Sequence, residues 1–198
     1  INENRVISGT TPNTYSRPND YKKIIQSILD EGAPLEGIGF QSRIKHQFVS
    51  PEQMLQRLKS FEEYNLPIHA TEFEIRDSKV RTYTNEERSA LIEQFMLIYV
   101  SHYLVDGIWH WTFYNNTKNS KPWALFNYDG TPTVSGEQWM QTMNTYFSSS
   151  YDLKTNLNGE LKQRVFKGDY TISVNYQNQS MSIKTTINKD DILTLTLD

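Results

Sequence analysis

Apolar positions along this chain switch between helical and strand spacing, and each switch predicts an element. Ile1-Asn2-Glu3 reads as the tail of a strand, and a Ser/Thr/Pro/Asn-rich loop follows at 8–19. A helix is predicted near 20–31, with Ile24, Ile25, Ile28 and Leu29 on one face and Gly32 ending it. Strand 36–42 comes next. Ser50, Pro51 and Gln53 spell a capping box ahead of the stripe Met54, Leu55, Leu58 and Phe61. An apolar strand spans 66–75, and a second capping box, Thr84 to Glu87, opens a long helix carrying Leu91, Ile92, Phe95, Met96, Tyr99 and Tyr103. Strand 107–113, a polar loop to 121 and a helix with Trp139, Met140, Met143, Tyr146 and Phe147 complete the series. Strand–helix units with short connections predict a parallel sheet with helices outside it.

After about residue 150 the period changes to strict alternation. Leu161–Phe166, Tyr170–Tyr176, Ser180–Ile187 and Ile192–Leu197 read as four strands of a small antiparallel module, separated by turns such as Asn158-Gly159 and Lys167-Gly168-Asp169. Residues 1–150 are therefore expected to form one domain and 151–198 a small appendage, too short to stand alone and docked on the helical layer.

Composition narrows the chemistry. With 198 residues the chain can bury a core, and its 37% hydrophobic content contains no transmembrane run. A net charge of −3 gives no reason to expect nucleic acid or an anionic membrane as partner. Cysteine is absent, which removes disulfides, thiolate metal sites and cysteine nucleophiles. Aromatics reach 13%, with 12 Tyr and 4 Trp. Such rings serve equally as core or as platforms for sugar faces. The chain opens on apolar Ile1 with no initiator methionine and no signal peptide, which reads as a cut or processed start.

The candidate chemistry centres on Glu72. Leu-Pro-Ile-His-Ala-Thr-Glu-Phe-Glu-Ile (66–75) delivers this carboxylate where an apolar strand meets a polar loop, the place where α/β barrels keep catalytic groups. Ideal alternation puts Ile68, Ala70, Glu72 and Glu74 on one face and His69, Thr71, Phe73 and Ile75 on the other. Thr71, Phe73 and Ile75 would then meet the helices, and both glutamates would point toward the axis. A structural hydrogen-bonding pair is the competing role for two carboxylates on one strand.

Several stretches, taken in order, resemble one family. Leu-Pro-Ile-His-Ala-Thr-Glu-Phe-Glu-Ile looks like the nucleophile strand of family 10 glycoside hydrolases, the retaining endo-β-1,4-xylanases. Gly-Ile-Gly-Phe-Gln-Ser (37–42) resembles the preceding strand, Ile1-Asn2-Glu3 the Asn-Asp-Tyr strand and Gly-Ile-Trp-His-Trp (107–111) the last barrel strand. Ala124-Leu125-Phe126-Asn127 with Asp129-Gly130 resembles the approach to the final helix. Asn158-Gly159-Glu160-Leu161 and Phe166-Lys167-Gly168-Asp169-Tyr170 are similar to the β appendage of plant-type members.

The resemblance implies an α/β fold: the C-terminal half (strands 5 to 8) of a (β/α)8 TIM barrel, followed by a small antiparallel, β-sandwich-like appendage. It implies a retaining endo-xylanase working by double displacement without metal or organic cofactor, secreted or at the cell surface, with xylan or xylo-oligosaccharide as substrate. Glu72 matches the nucleophile. Asn2, Gln41, Arg43, Trp111 and Trp123 match substrate-binding positions, with Trp111 as the floor of the sugar site. Glu74 stands where the family often has aspartate, as a supporting residue. Arg43 replaces a usual histidine, to hold the nucleophile ionised or bind substrate, and His46 is close enough in sequence to take over part of that role. The acid/base glutamate belongs to the fourth barrel strand. Glu3, one helix ahead of strand 36–42, falls on the fifth, so the acid/base is expected outside this chain with the N-terminal half of the barrel. A half-barrel exposes strand edges, so association with that missing half, or self-association, is expected. Two other readings stay open: a non-catalytic carbohydrate-binding protein of the same fold, and a related β-glycanase.

Overall fold

The computed structural model describes residues 1–8, 17–45, 49–189 and 192–196. His46 and part of the loop 8–19 lie outside the described residues. The chain divides into two compact units, Ile1–Met143 and Asn144–Asp198.

The first unit alternates strand and helix. Strand β1 (Asn2–Glu3) leads to helix α1 (Pro18–Asp30), strands β2 (Ile38–Phe40) and β3 (Arg43–Ile44), helix α2 (Pro51–Lys59) and a 3-10 turn at Glu62–Tyr64. Strand β4 (Ile68–Ile75), helix α3 (Asn85–Ser101), strand β5 (Val105–His110) and helix α4 (Val134–Tyr146) follow. Among the described residues these strands pair in parallel: β1 with β2, β2 and β3 with β4, and β4 with β5. With helices as crossovers, this is the layering that the alternating pattern predicted.

Both capping boxes form. Ser50 Oγ accepts from the Gln53 backbone N–H at 3.2 Å and Gln53 returns the bond, and Thr84 and Glu87 do the same at 3.1 and 2.9 Å. The core between sheet and helices is aromatic. Tyr21, Phe40 and Phe61 meet at centroid distances of 5.0 to 6.1 Å, and Phe73 meets Tyr99 edge-on at 6.3 Å. Arg88, fully buried on α3, donates to the Ile75 carbonyl and ion-pairs with Asp77 at 2.7 Å, fastening the upper end of β4 to the helix behind it.

Three details differ from the sequence reading. Strand 36–42 is interrupted, because Ser42 adopts a left-handed backbone (φ 61°) between β2 and β3. Helix α3 ends at Ser101, leaving Tyr103 beyond it and exposed. On α4 the buried positions are Ser135, Gly136 and Thr142, while Met140, Met143 and Tyr146 are exposed. Small residues win that face because the helix lies against backbone: Ser135 Oγ donates to the Pro122 carbonyl at 2.5 Å, and a Cβ on Gly136 would sit 2.0 Å from the Leu125 carbonyl oxygen.

The second unit contains one antiparallel hairpin, β6 (Gly168–Tyr176) with β7 (Gln179–Ile187), whose turn residue Gln177 is left-handed. Tyr170, Ile172 and Val174 oppose Thr185, Ile183 and Met181 on its half-buried face. Residues 161–166 and 192–196 are not strands. Among the described residues the unit is thus a two-stranded sheet, not the four-stranded, sandwich-like module that alternation suggested. Alternation alone does not create a strand where no neighbouring edge accepts its hydrogen bonds.

Candidate active site

The C-terminal ends of β1, β3, β4 and β5 gather the polar residues singled out in the sequence. Their aim depends on an irregularity in β4. Between Phe40↔Ala70 and Arg43↔Glu74, β4 advances four residues while its neighbour advances three. Between Ala70↔Ile108 and Phe73↔His110 it advances three against two. Both neighbours therefore see one extra residue in β4, a β-bulge at Thr71–Glu72.

The bulge corrects the expected faces. Below it, Ile68 and Ala70 are fully buried, while His69 and Thr71 line an open recess of about 630 Å³ with Asn2, Gly39 and Trp109. Above it, Phe73 and Ile75 are the fully buried apolar side chains, with Phe73 against Tyr99 and Trp139. Glu72 and Glu74 consequently share the open side of the sheet with His69 and Thr71, not with Ile68 and Ala70.

Arg43 organises the two carboxylates. Its Nε donates to Glu74 Oε1 at 2.9 Å, and its Nη1 lies 3.5 Å from Glu72 Oε2. Its guanidinium also covers the Trp111 ring at 5.1 Å. Glu74 is completely buried, and its other donors are Arg76 Nη1 at 3.4 Å and Thr112 Oγ1 at 2.7 Å. A buried carboxylate held by two guanidinium groups and a hydroxyl is fixed in position. Glu72 is the more accessible partner, its side chain retaining some exposure and lying at the longer distance from Arg43.

The left-handed Ser42 explains how Arg43 reaches this place. Ser42 Oγ donates to the Phe40 carbonyl at 2.9 Å and lies 2.5 Å from the Tyr99 hydroxyl, so the strained residue is anchored into the helical layer. Its neighbour Arg43 then faces the two carboxylates, and the Gln41 backbone N–H bonds to the Glu3 carbonyl at 3.0 Å.

The remaining candidates are spread along the same rim. Asn2 Oδ1 accepts from Thr71 Oγ1 at 2.9 Å and covers Gly39, where a Cβ would come within 2.7 Å of that oxygen. Trp111 is half exposed, and Trp123 carries the Arg76 guanidinium at 5.3 Å from its ring centroid. Trp109 is half exposed. It lies over Gly107 and against His69 in the recess. Glu3, the alternative carboxylate, accepts from Arg17 at 3.3 Å and from the Asn4 backbone at 2.7 Å.

Two participants escaped the sequence reading. Arg76 follows the glutamate strand directly and could have been suspected as a counter-charge to Glu74. His110 lies behind the rim against Phe73 and Trp139, and neither ring nitrogen has a hydrogen-bond partner among the described residues. Burial pushes its pKa down to about 4. Thr112 backbone is near the ring but out of hydrogen-bond geometry.

Parallel strands with crossover helices, and carboxylates gathered at the strand ends, define part of a (β/α) barrel. The family description "Glycosyl hydrolase family 10" matches residues 10–148. The chain belongs to glycosyl hydrolase family 10.

Endo-1,4-beta-xylanase 2 of Arabidopsis thaliana is 27% identical over 161 residues, covering 80% of this chain and 14% of that protein. Endo-1,4-beta-xylanase 1 of the same plant is 26% identical over 193 residues, covering 96% and 19%. In three dimensions the chain is similar to xylanase 10B from Thermotoga petrophila RKU-1 in complex with xylobiose, with TM-score 0.60 at 18% identity. That likeness covers 74% of this chain and 46% of the xylanase. Native xylanase 10B from Thermotoga maritima gives 0.57 at 19% identity, over 72% and 45%. The fold is therefore that of a family 10 barrel in part, and the chain spans less than half of each structural neighbour and under a fifth of each plant relative.

Proposed function

We propose that this chain is the nucleophile-bearing part of a retaining endo-β-1,4-xylanase. The observation that carries the reading is the placement of Glu72 on the bulged rim of β4, at 3.5 Å from Arg43 and with the buried Glu74 fixed behind it. Glu72 would attack the anomeric carbon, forming a glycosyl ester and breaking the bond to the leaving sugar oxygen. A second carboxyl group, about 5–5.5 Å away, would protonate that oxygen and then activate water. We assign this acid/base to residues outside the chain, together with the rest of the barrel. Glu3, on β1 and paired with Arg17 at 3.3 Å, is not chosen.

Arg43 would orient Glu72 for attack and release it to substrate, its own charge remaining anchored on Glu74. Trp111 and Trp123 would stack sugar faces, and Asn2 and Gln41 would supply hydrogen bonds at the rim. Xylobiose in the Thermotoga petrophila structure and the names of the plant relatives support xylan or xylo-oligosaccharide as substrate. Such a substrate implies secretion or a cell-surface location. The chemistry needs no cofactor.

The test is trapping. A 2-deoxy-2-fluoro-xylobioside with a good leaving group should stall the full-length protein as an ester on Glu72, found by peptide mass. A label on another residue, or xylan hydrolysis surviving Glu72→Ala, overturns the assignment. The 198-residue chain alone should hydrolyse no xylan, for want of leaving-group protonation. The ion pair that occupies Glu72 favours a second reading, carbohydrate binding without turnover. Oligosaccharide binding by the full-length protein with neither hydrolysis nor trapping would select it.

A further inference from the structure

Positive charge on the rim exceeds the carboxylates that it meets. Arg43 and Lys45 flank Ile44, which is buried, so strand alternation sends both to the open side. On the adjacent strand Glu74 and Arg76 flank buried Ile75. The register Arg43↔Glu74 and Ile44↔Ile75, continued by the Arg76 N–H to Ile44 carbonyl bond at 2.8 Å, brings Lys45 and Arg76 out side by side.

Their situations differ. Arg43 and Arg76 share Glu74 and rest on Trp111 and Trp123. Lys45 is half-buried, yet its ammonium makes no hydrogen bond or ion pair among the described residues. Burial, and then the positive charges of Arg43, Arg76 and Arg5, push its pKa below the usual lysine range. Glu74 opposes the shift without cancelling it. Among the described residues, Arg43, Lys45 and Arg76 thus face Glu72 and Glu74, and Glu74 is wholly enclosed.

We propose that Lys45 and Arg76 form an anion subsite that takes the carboxylate of a uronic-acid substituent on a polysaccharide lying across this rim. The proposal rests on the reading of the rim as a carbohydrate site. An anion arriving here neutralises an ammonium that no described residue pairs, and the guanidinium edge of Arg76 suits a planar carboxylate. The anion arrives attached to sugar because the flanking indoles of Trp111 and Trp123 are stacking surfaces for pyranose faces. Lys45 makes no ion pair with Glu72 or Glu74, so it acts on recognition and not on bond cleavage.

The experiment uses the full-length protein and its Lys45→Met variant in affinity electrophoresis through gels containing uronic-acid-bearing xylan or the same xylan after carboxyl reduction. We expect tighter binding of wild type to the acidic polymer, a loss of about ten-fold in that preference on Lys45→Met, and unchanged affinity for the neutral polymer. The preference should also fall with added salt. Equal binding of wild type to both polymers, or an equal effect of Lys45→Met on both, overturns the subsite while leaving the carbohydrate reading intact. Inorganic phosphate displacing the acidic polymer at low millimolar concentration would show a free-anion site and overturn it as well. Failure of wild type to bind either polymer sinks both readings.

Discussion

Arg43 and Glu74 face each other on paired strands and join through a 2.9 Å bond between Nε and Oε1, with Glu74 buried to the last atom. The pair converts a side chain that would be long and mobile into a fixed donor beside Glu72. Replacing Arg43 with methionine leaves Glu74 on Arg76 and Thr112 alone. Removing one member of a buried pair costs roughly 3 kcal/mol, which chemical denaturation will register as a lower midpoint at constant slope. Arg43→Met combined with Glu74→Gln should recover a large part of the loss. Two independent, additive losses would show that the pair is not what holds the rim.

Gly136 separates steric fit from helix propensity. Alanine in a helix interior is ordinarily better than glycine by about 0.5–1 kcal/mol, so propensity alone predicts stabilisation by Gly136→Ala. The Leu125 carbonyl, 2.0 Å from the new Cβ, predicts the opposite. We expect a loss of about 3 kcal/mol, read as a lower Tm. Gly39→Ala should cost less, about 1 kcal/mol, because its obstacle is the Asn2 side chain, which can turn away at the expense of its bond to Thr71.

His110 should make stability depend on acid. Its folded pKa of about 4 lies below the value of about 6.5 expected when unfolded. As pH falls from about 6.5 to 4, the unfolded chain takes up the proton and the folded chain does not. Stability therefore declines across that window, by roughly 3 kcal/mol from this group, and levels off below it. Carboxylates titrate there too, so the measurement is the difference between wild type and His110→Leu in urea midpoint at pH 7 and pH 4.5. A shallower decline in the variant is expected. Parallel declines would remove His110 as the cause.

Much of this was legible beforehand because it depended on local chemistry. Ser50-Gln53 and Thr84-Glu87 announce helix starts through bonds within four residues, and the buried stripe Leu91, Ile92, Phe95, Met96, Tyr99 follows from helical spacing alone. The order of strand-end residues likewise located the rim, since parallel strands joined by crossovers bring their C-terminal ends together. What escaped depends on partners distant in sequence. The β4 bulge is defined only against two neighbouring strands, and ideal alternation therefore misassigned His69 and Thr71. The exposed methionines of α4 follow from the close approach of Pro122 and Leu125 backbone to its small-residue face. Arg76 gains its place from Trp123 and Glu74 together, a three-body arrangement that no spacing encodes.

The extra residue in β4 also divides the strand into two parts that answer to different constraints. Through an unbroken pleat the same residues would send Glu72 toward the helices along with Ile68 and Ala70, burying a charge among Tyr99, Trp139 and His110. With the bulge in place, the lower segment can be repacked for stability and the upper segment altered for recognition, each without turning the other over. Inserting or deleting one residue between Ala70 and Phe73 would do more than shift a loop, because it exchanges the inside and outside of everything above it.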